Sequence, residues 1–594
     1  MPQAAPKTAN SLPSWDLRDL YAGTDDPAIQ TDLKKASEDA EAFARQYQGT
    51  LADLDGAGLG AAIAAYEKIS ERLSWIMSYA QLVFAANTSD PEIGRFYQTM
   101  SERVTDISSE TLFFELEINR IDDAVLDRQL EDPTAARYRP WLQTVRDFRP
   151  YQLSDDLEKL LHEKSVAGRA AWSRLFDETS AAMRFDVDGK SLSSSEVLNL
   201  MSSPDGAVRK TAAKAFGKGL GENIRLFALI TNTLAKDKEI EDGWRKFPRP
   251  VSSRNLANQV EDEVVDALIS AVRESYADIS HRYYGLKARW FGVDVLDYWD
   301  RNAPLPKAKE VHIPWTEARK TVLNAYSAFS PELSDIAGTF FDKKWIDAEP
   351  REGKDSGAFS HPTVPSVHPF ILMNYHGKTR DVMTLAHELG HGVHQVLAAP
   401  QGQLLSDTPL TLAETASVFG EMLTFRAMLD SKEDDAERRI MLASKVEDMI
   451  NTVVRQTAFF EFERQVHDER RDGELSADRL GEIWMGVQID SLGPAFRYDD
   501  EYKYFWSYIP HFIHSPFYVY AYAFGDCLVN SLYDVFQQGH PGFRDKYLEM
   551  LKAGGTLRHR ELLAPFGLDA SDPGFWKRGL KMISGFIDEL EATF

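Results

Sequence analysis

The stretch Asp381-Val-Met-Thr-Leu-Ala-His387-Glu388-Leu389-Gly390-His391-Gly392-Val393-His394 constrains the chain more than any other. On a helix, an H-E-x-x-H spacing sets its two histidines at i and i+4. They share one face, one turn apart, where both imidazoles reach a single ion. Glu388 projects beside them, placed to take a proton from a water that the ion activates. Val382, Leu385, Ala386, Leu389 and Val393 surround the motif with apolar side chains, which predicts a helix buried on most sides. Burial serves the chemistry, because a dry site strengthens the ion's polarisation of water and carbonyl.

A catalytic zinc takes three protein ligands and keeps one position open. The extension H-E-x-x-H-x-x-G-x-x-H would supply the third, but its last two fixed positions hold His394 and Leu397 here. A glutamate on a following helix is available instead. SDTPLTLAETASVFGEMLTFRAML (406 to 429) opens with capping candidates Asp407 and Thr408, then Pro409 in the first turn. Glu414 falls in the second turn, among Leu412, Thr415, Val418, Phe419 and Met422. A carboxylate in so apolar a setting needs a partner, and a divalent cation is one; the bland alternative is a solvated helix glutamate. Glu421, two turns on and on nearly the same face, is either a hydrogen-bond partner of a ligand histidine or half of an ordinary salt bridge. His394 reads as a hydrogen-bonded structural histidine. The metal set is therefore His387, His391 and Glu414, with one Zn2+ per chain; N/O donors of this kind also accept cobalt or manganese.

The rest of the chain reads as mainly α, with a small β element beside the zinc-binding helix. At 594 residues it is too long for one core, and the expected division is an arm (1–24), a helical N-terminal lobe (25–190) and a catalytic region (191–594). Ile63, Tyr66, Ile69, Leu73 and Ile76 form one helical stripe. Ile93, Tyr97, Met100, Val104, Ile107, Phe114 and Ile118 form another, started by Asp90 and Pro91. FDVDGKSLSSSEV (185 to 197) predicts a hairpin at Asp188-Gly189 and then a capped helix. Prolines in 356 to 376 forbid helix, and PFILMNY within it predicts a buried or edge strand. A formal charge of −25 argues against nucleic acid or an anionic membrane as partner. Cys527 is the single cysteine, so neither a disulfide nor a cysteine metal site is possible within the chain. The N-terminus lacks a secretory apolar stretch, and no run of about 18 apolar residues occurs. A cytoplasmic location is the expectation.

HELGHGVHQ (387 to 395), AETASVFGE (413 to 421) and IPHFIHSPFYVYAYAFG (509 to 525) together resemble oligoendopeptidase F, within the wider thimet oligopeptidase family. WDLRDLY (15 to 21), PFILMNY (369 to 375) and AGGTLRHRELLAPFGLD (553 to 569) extend the likeness over nearly the whole chain. The 22 residues between His391 and Glu414 suit this family better than thermolysin-like or aminopeptidase patterns. The resemblance implies a two-lobed clamshell with a deep central channel, zinc near its middle and a peptide lying along an edge strand, here in 356 to 376. Short peptides would enter; large folded proteins would not.

It also implies that His511, Tyr518 and Tyr522 stabilise the carbonyl under attack, with Tyr520 and His514 as substitutes within the same run. Thimet-type enzymes carry a glycine-rich stretch where this chain has Ser515-Pro516-Phe517. Without the family, 502 to 524 is an aromatic block whose rings mostly belong to the core. The expected activity is a zinc-dependent endopeptidase acting on short oligopeptides, with no nucleic acid or membrane partner and the oligomeric state open. The alternatives are a dipeptidyl carboxypeptidase-type exopeptidase and a non-catalytic helical peptide-binding protein.

Overall fold

The computed structural model describes residues 12–165, 167–306 and 312–593. It is mainly helical, and the described strands form three small sheets. Two compact units emerge, each assembled from three separated stretches of chain.

The first unit comprises Met1–Arg149, Glu310–Ser431 and Phe536–Gly567. Helices Pro27–Tyr47, Gly56–Ala86 and Pro91–Ser109 begin at Asp26, Asp55 and Asp90, whose carboxylates accept from first-turn backbone N–H groups. Ile29, Leu33, Ala36, Ala40 and Phe43 bury one face of the first helix. Ile63, Ile69, Leu73 and Ile76 do the same in the second, while Tyr66 is half-buried and donates to Glu115 Oε1 at 3.0 Å.

The expected stripe through Phe114 and Ile118 is corrected, because the chain leaves the helix after Ser109 and starts another at Phe113–Arg120. Ser108 and Ser109 hydroxyls both donate to the Thr105 carbonyl at 2.9 Å, and Thr111 donates to Ser108. Such local side-chain bonds compete with the helical ladder. Phe114 and Ile118 are fully buried all the same. The expected arm over residues 1–24 lies, through residue 11, outside the described residues. Beyond residue 11, the Pro13 carbonyl accepts from Ala348 N and Asp16 N donates to Lys344.

Segment 356–376 supplies two strands of a three-stranded sheet in the same unit. Phe370–Leu372, wholly buried, is central; Ile346–Asp347 pairs with it in parallel and Phe359–His361 antiparallel, with Ser360 opposite Ile371. Buried Asp347 is neutralised by Lys354 and Arg351, each at 2.7 Å. Lys354 also donates to the Met373 carbonyl at 2.6 Å, which ties the loop before the edge strand to the central one.

The second unit comprises Pro150–Lys309, Lys432–Val535 and Leu568–Phe594. Its longest element is Gly206–Arg245, flanked by Val454–Arg470 and Ala477–Leu492. The hairpin Phe185–Val187/Lys190–Leu192 turns on Asp188 (φ 53°) and Gly189 (φ 80°), the paired positive angles that match strand twist in a two-residue loop. Ser193 and Glu196 then form a reciprocal capping box on the next helix, as the serine run predicts. No helix among the described residues is long and apolar enough to cross a membrane.

Candidate metal centre

The predicted motif helix is Thr379–Ala398. Asp381 fixes its start by accepting from His376 N at 2.7 Å and Lys378 N at 2.9 Å. Val382, Leu385, Ala386, Leu389 and Val393 are all buried. The helix that carries Glu414 is Leu410–Asp430, and its start differs from the expected one. Pro409 is the capping residue, and its carbonyl accepts from Leu412 N and Ala413 N, while Asp407 and Thr408 lie outside. Thr408 Oγ1 instead lies 3.3 Å from His394 Nε2. His394 is thus buried and hydrogen-bonded, and stands apart from the cluster described next.

His387, His391 and Glu414 converge. Their candidate ligand atoms lie within 4.8 Å of one another. Glu414 Oε2 is 3.4 Å from His387 Nε2 and 3.5 Å from His391 Nε2. Ligands at zinc bond lengths of about 2.0–2.1 Å and tetrahedral angles stand about 3.3 Å apart. The donor set therefore fits zinc in both chemistry and spacing. His387 Nδ1 lies 3.3 Å from Glu421 Oε2. A proton donated there leaves Nε2 with its lone pair on the Glu414 side. Ser417 Oγ donates to Glu414 Oε2 at 2.6 Å, from the next turn of the same helix.

Gly390 sets the separation of the two helices. A Cβ there would lie 2.6 Å from Ser417 Cα and nearer still to the Ala416 carbonyl oxygen, so the backbones are in contact. Tyr326 adds a clamp by donating from its hydroxyl to the buried Ala386 carbonyl at 2.6 Å. It passes across Gly420, where a Cβ would overlap the phenol. No motif in the sequence points to Gly390, Tyr326 or Ser417. A glycine inside an apolar helix was the available sign of close backbone approach.

With only protein charges acting, burial pushes Glu388 up to about 7, aided by Glu414 and opposed by His387 and a backbone bond from Ser360. Burial alone would lower His387, but its bond to Glu421 and the charges of Glu414 and Glu388 raise it to about 9. Burial holds His391 low against the pull of Glu414. Glu414 is also held low: burial raises it, and both histidines with Ser417 outweigh that. Ser360, on the edge strand, exchanges two bonds with Gln395 of the motif helix, at 2.9 and 3.1 Å. The edge strand is thereby fastened alongside Glu388. A cavity of about 670 Å3 reaches His391 and is also lined by Trp345, Val364, His368, Gln395 and Asp407. It has the dimensions of a side-chain or ligand pocket.

In the second unit, His511, Tyr518 and Tyr522 form a half-buried cluster. His511 Nε2 is 3.3 Å from the Tyr522 hydroxyl, and the Tyr518 ring centroid is 5.3 Å from that of Tyr522 and 6.0 Å from that of His511. The two possible substitutes are engaged elsewhere. Tyr520 is fully buried and its hydroxyl accepts from Asn258 at 2.8 Å, while His514 Nε2 lies 2.8 Å from Asp177.

Residues 199–582 match the model of peptidase family M3, and residues 117–185 that of Oligopeptidase F. Oligopeptidase PepF of Bacillus subtilis (strain 168) is 28% identical, over 99% of this chain and 89% of that protein. An oligoendopeptidase F homolog of Lactococcus lactis subsp. lactis is 25% identical, over 97% of this chain and 96% of that one. The crystal structure of oligoendopeptidase-F from Enterococcus faecium shares the fold, with a TM-score of 0.73 at 23% identity over 96% of this chain and 99% of that chain.

Proposed function

The chain belongs to peptidase family M3, and on that premise we propose that it is a zinc-dependent endopeptidase hydrolysing internal bonds of short oligopeptides. The observation that carries the proposal is the His387, His391 and Glu414 donor set, with its nitrogen-to-oxygen separations of 3.4 and 3.5 Å. Bound there, zinc would polarise the scissile carbonyl and make water a nucleophile at neutral pH. Glu421 orients His387, and Ser417 holds the Glu414 carboxylate in place. Glu388, buried on the next residue of the motif, accepts the proton of the attacking water and returns it to the departing amine. An extended peptide can lie beside Phe359–His361, the outer strand of the three-stranded sheet, next to Glu388. His511, Tyr518 and Tyr522 donate hydrogen bonds to the carbonyl oxygen as charge grows on it. The relatives' names, oligopeptidase and oligoendopeptidase, support short peptides as substrates and internal bonds as targets. A buried lone cysteine suits a reducing compartment, and we place the enzyme in the cytoplasm.

Product mapping on peptides with free and with blocked ends, alongside zinc analysis, tests the proposal. Cleavage at internal bonds with both ends blocked, lost on chelation and restored by zinc, is expected. If a blocked carboxyl end stops all cleavage, the enzyme is an exopeptidase.

A further inference from the structure

Glu463 lies inside the helix Val454–Arg470 at 2% exposure, a costly place for a carboxyl without a purpose. Its Oε1 accepts the backbone N–H of Phe517 at 2.9 Å. Its Oε2, also buried, has no hydrogen-bond partner among the described residues. Arg254, whose charge acts on it, spends its Nε on the Pro516 carbonyl at 3.2 Å instead. The buried carboxyl therefore serves one backbone amide.

That amide belongs to an unusual residue. Phe517 has φ 59°, in the left-handed region where a bulky side chain is strained unless its surroundings compel it. Its ring is fully buried against Phe460 and His467, at centroid distances of 5.9 and 4.9 Å. The turn before it is held as well. The His514 carbonyl accepts from Arg169 at 2.9 Å, Ser515 N donates to His511, and Tyr518 N donates to Ser515. Tyr518, the next residue, belongs to the cluster with His511 and Tyr522.

We infer that Glu463 is a positioning residue: by holding the Phe517 amide it fixes the left-handed turn that presents Tyr518, together with the His511–Tyr522 pair, to the substrate carbonyl. The inference rests on the reading that those three polar tips act on the carbonyl. Burial pushes the Glu463 carboxyl up to about 8, so at neutral pH its neutral form prevails and glutamine is a close mimic.

The test is steady-state kinetics on the zinc-loaded full chain carrying Glu463→Gln, Glu463→Asp or Glu463→Leu, alone and combined with Tyr518→Phe. Glutamine keeps the acceptor, and kcat should stay within a few-fold of wild type. Aspartate withdraws it and leucine removes it, and kcat should fall by up to about 100-fold, the scale of a 1 Å misplacement, with KM and zinc content little changed. Added to Glu463→Leu, Tyr518→Phe should cost little more, because the two residues act as a unit. Undiminished kcat in the aspartate and leucine variants, or fully additive losses with Tyr518→Phe, would overturn the inference. If leucine prevents folding, the aspartate arm decides. Should Tyr518→Phe, Tyr522→Phe and His511→Ala each leave kcat intact, the carbonyl reading itself fails, an outcome distinct from the loss of Glu463's role.

Discussion

Replacing Gly390 by alanine tests how the metal centre is built. The new Cβ would begin 2.6 Å from Ser417 Cα, whereas ordinary contact starts at 3.4 Å. Both neighbours are backbone, so relief requires the two helices to part by about 1 Å. Glu414 and its Ser417 partner ride on the displaced helix, while His387 and His391 stay on the other. Metal–ligand distances tolerate only about 0.2 Å, so one ligand loses its place. Overpacking of this kind costs about 1–3 kcal/mol in folding stability. The lost geometry should weaken zinc binding on the order of 10–100-fold, the range seen when support around metal ligands is removed. Zinc competition with a chromophoric chelator reads the affinity, and thermal melting of the metal-free protein reads the stability. Wild-type zinc affinity in Gly390→Ala would refute the argument that backbone contact at this glycine sets the Glu414 position.

Glu421→Gln keeps the size of the side chain but removes the charge that orients His387; zinc affinity should fall about 10-fold or more by the same competition assay, and an unchanged value would reduce Glu421 to a surface-type ion pair. Glu463→Gln should alter the pH dependence of stability. Burial pushes the folded carboxyl up to about 8, above the 4.5 of an exposed glutamate, so between those values the native state binds more protons than the unfolded state. Stability conferred by wild type relative to the glutamine variant therefore declines as pH rises through that window and is level below it. Urea unfolding of both proteins near pH 5 and near pH 8 measures this; a difference that does not change with pH would contradict it.

The motif helix was legible because its apolar residues and its two histidines obey one helical period, and both act within a few residues. Glu414 was legible for a related reason: a lone carboxylate among Leu412, Thr415, Val418 and Phe419 asks for a partner. What local pattern could not report were choices made by side chains bonding to their own backbone. The break after Ser109 depends on three hydroxyls, which an apolar stripe does not record. The start of the Glu414 helix went to Pro409 because Thr408 is drawn to His394. Among five polar tips in the aromatic run, sequence could not choose a register. Burial of Tyr520 against Asn258 and the bond of His514 to Asp177 separate those two from His511, Tyr518 and Tyr522. Likewise, each compact unit joins three distant stretches, and hydrophobic periodicity is a local signal that carries no pairing information.

The most direct measurement is turnover of a blocked-end peptide by Glu388→Gln, with zinc content determined on the same sample. Glutamine preserves the shape of the buried side chain at 6% exposure but cannot take a proton. General-base catalysis contributes roughly 100- to 10,000-fold, so kcat should drop by at least about 100-fold while zinc stays at one per chain. Near-normal turnover with zinc in place would contradict Glu388 as the base and, with it, the account of this site as a hydrolytic metal centre.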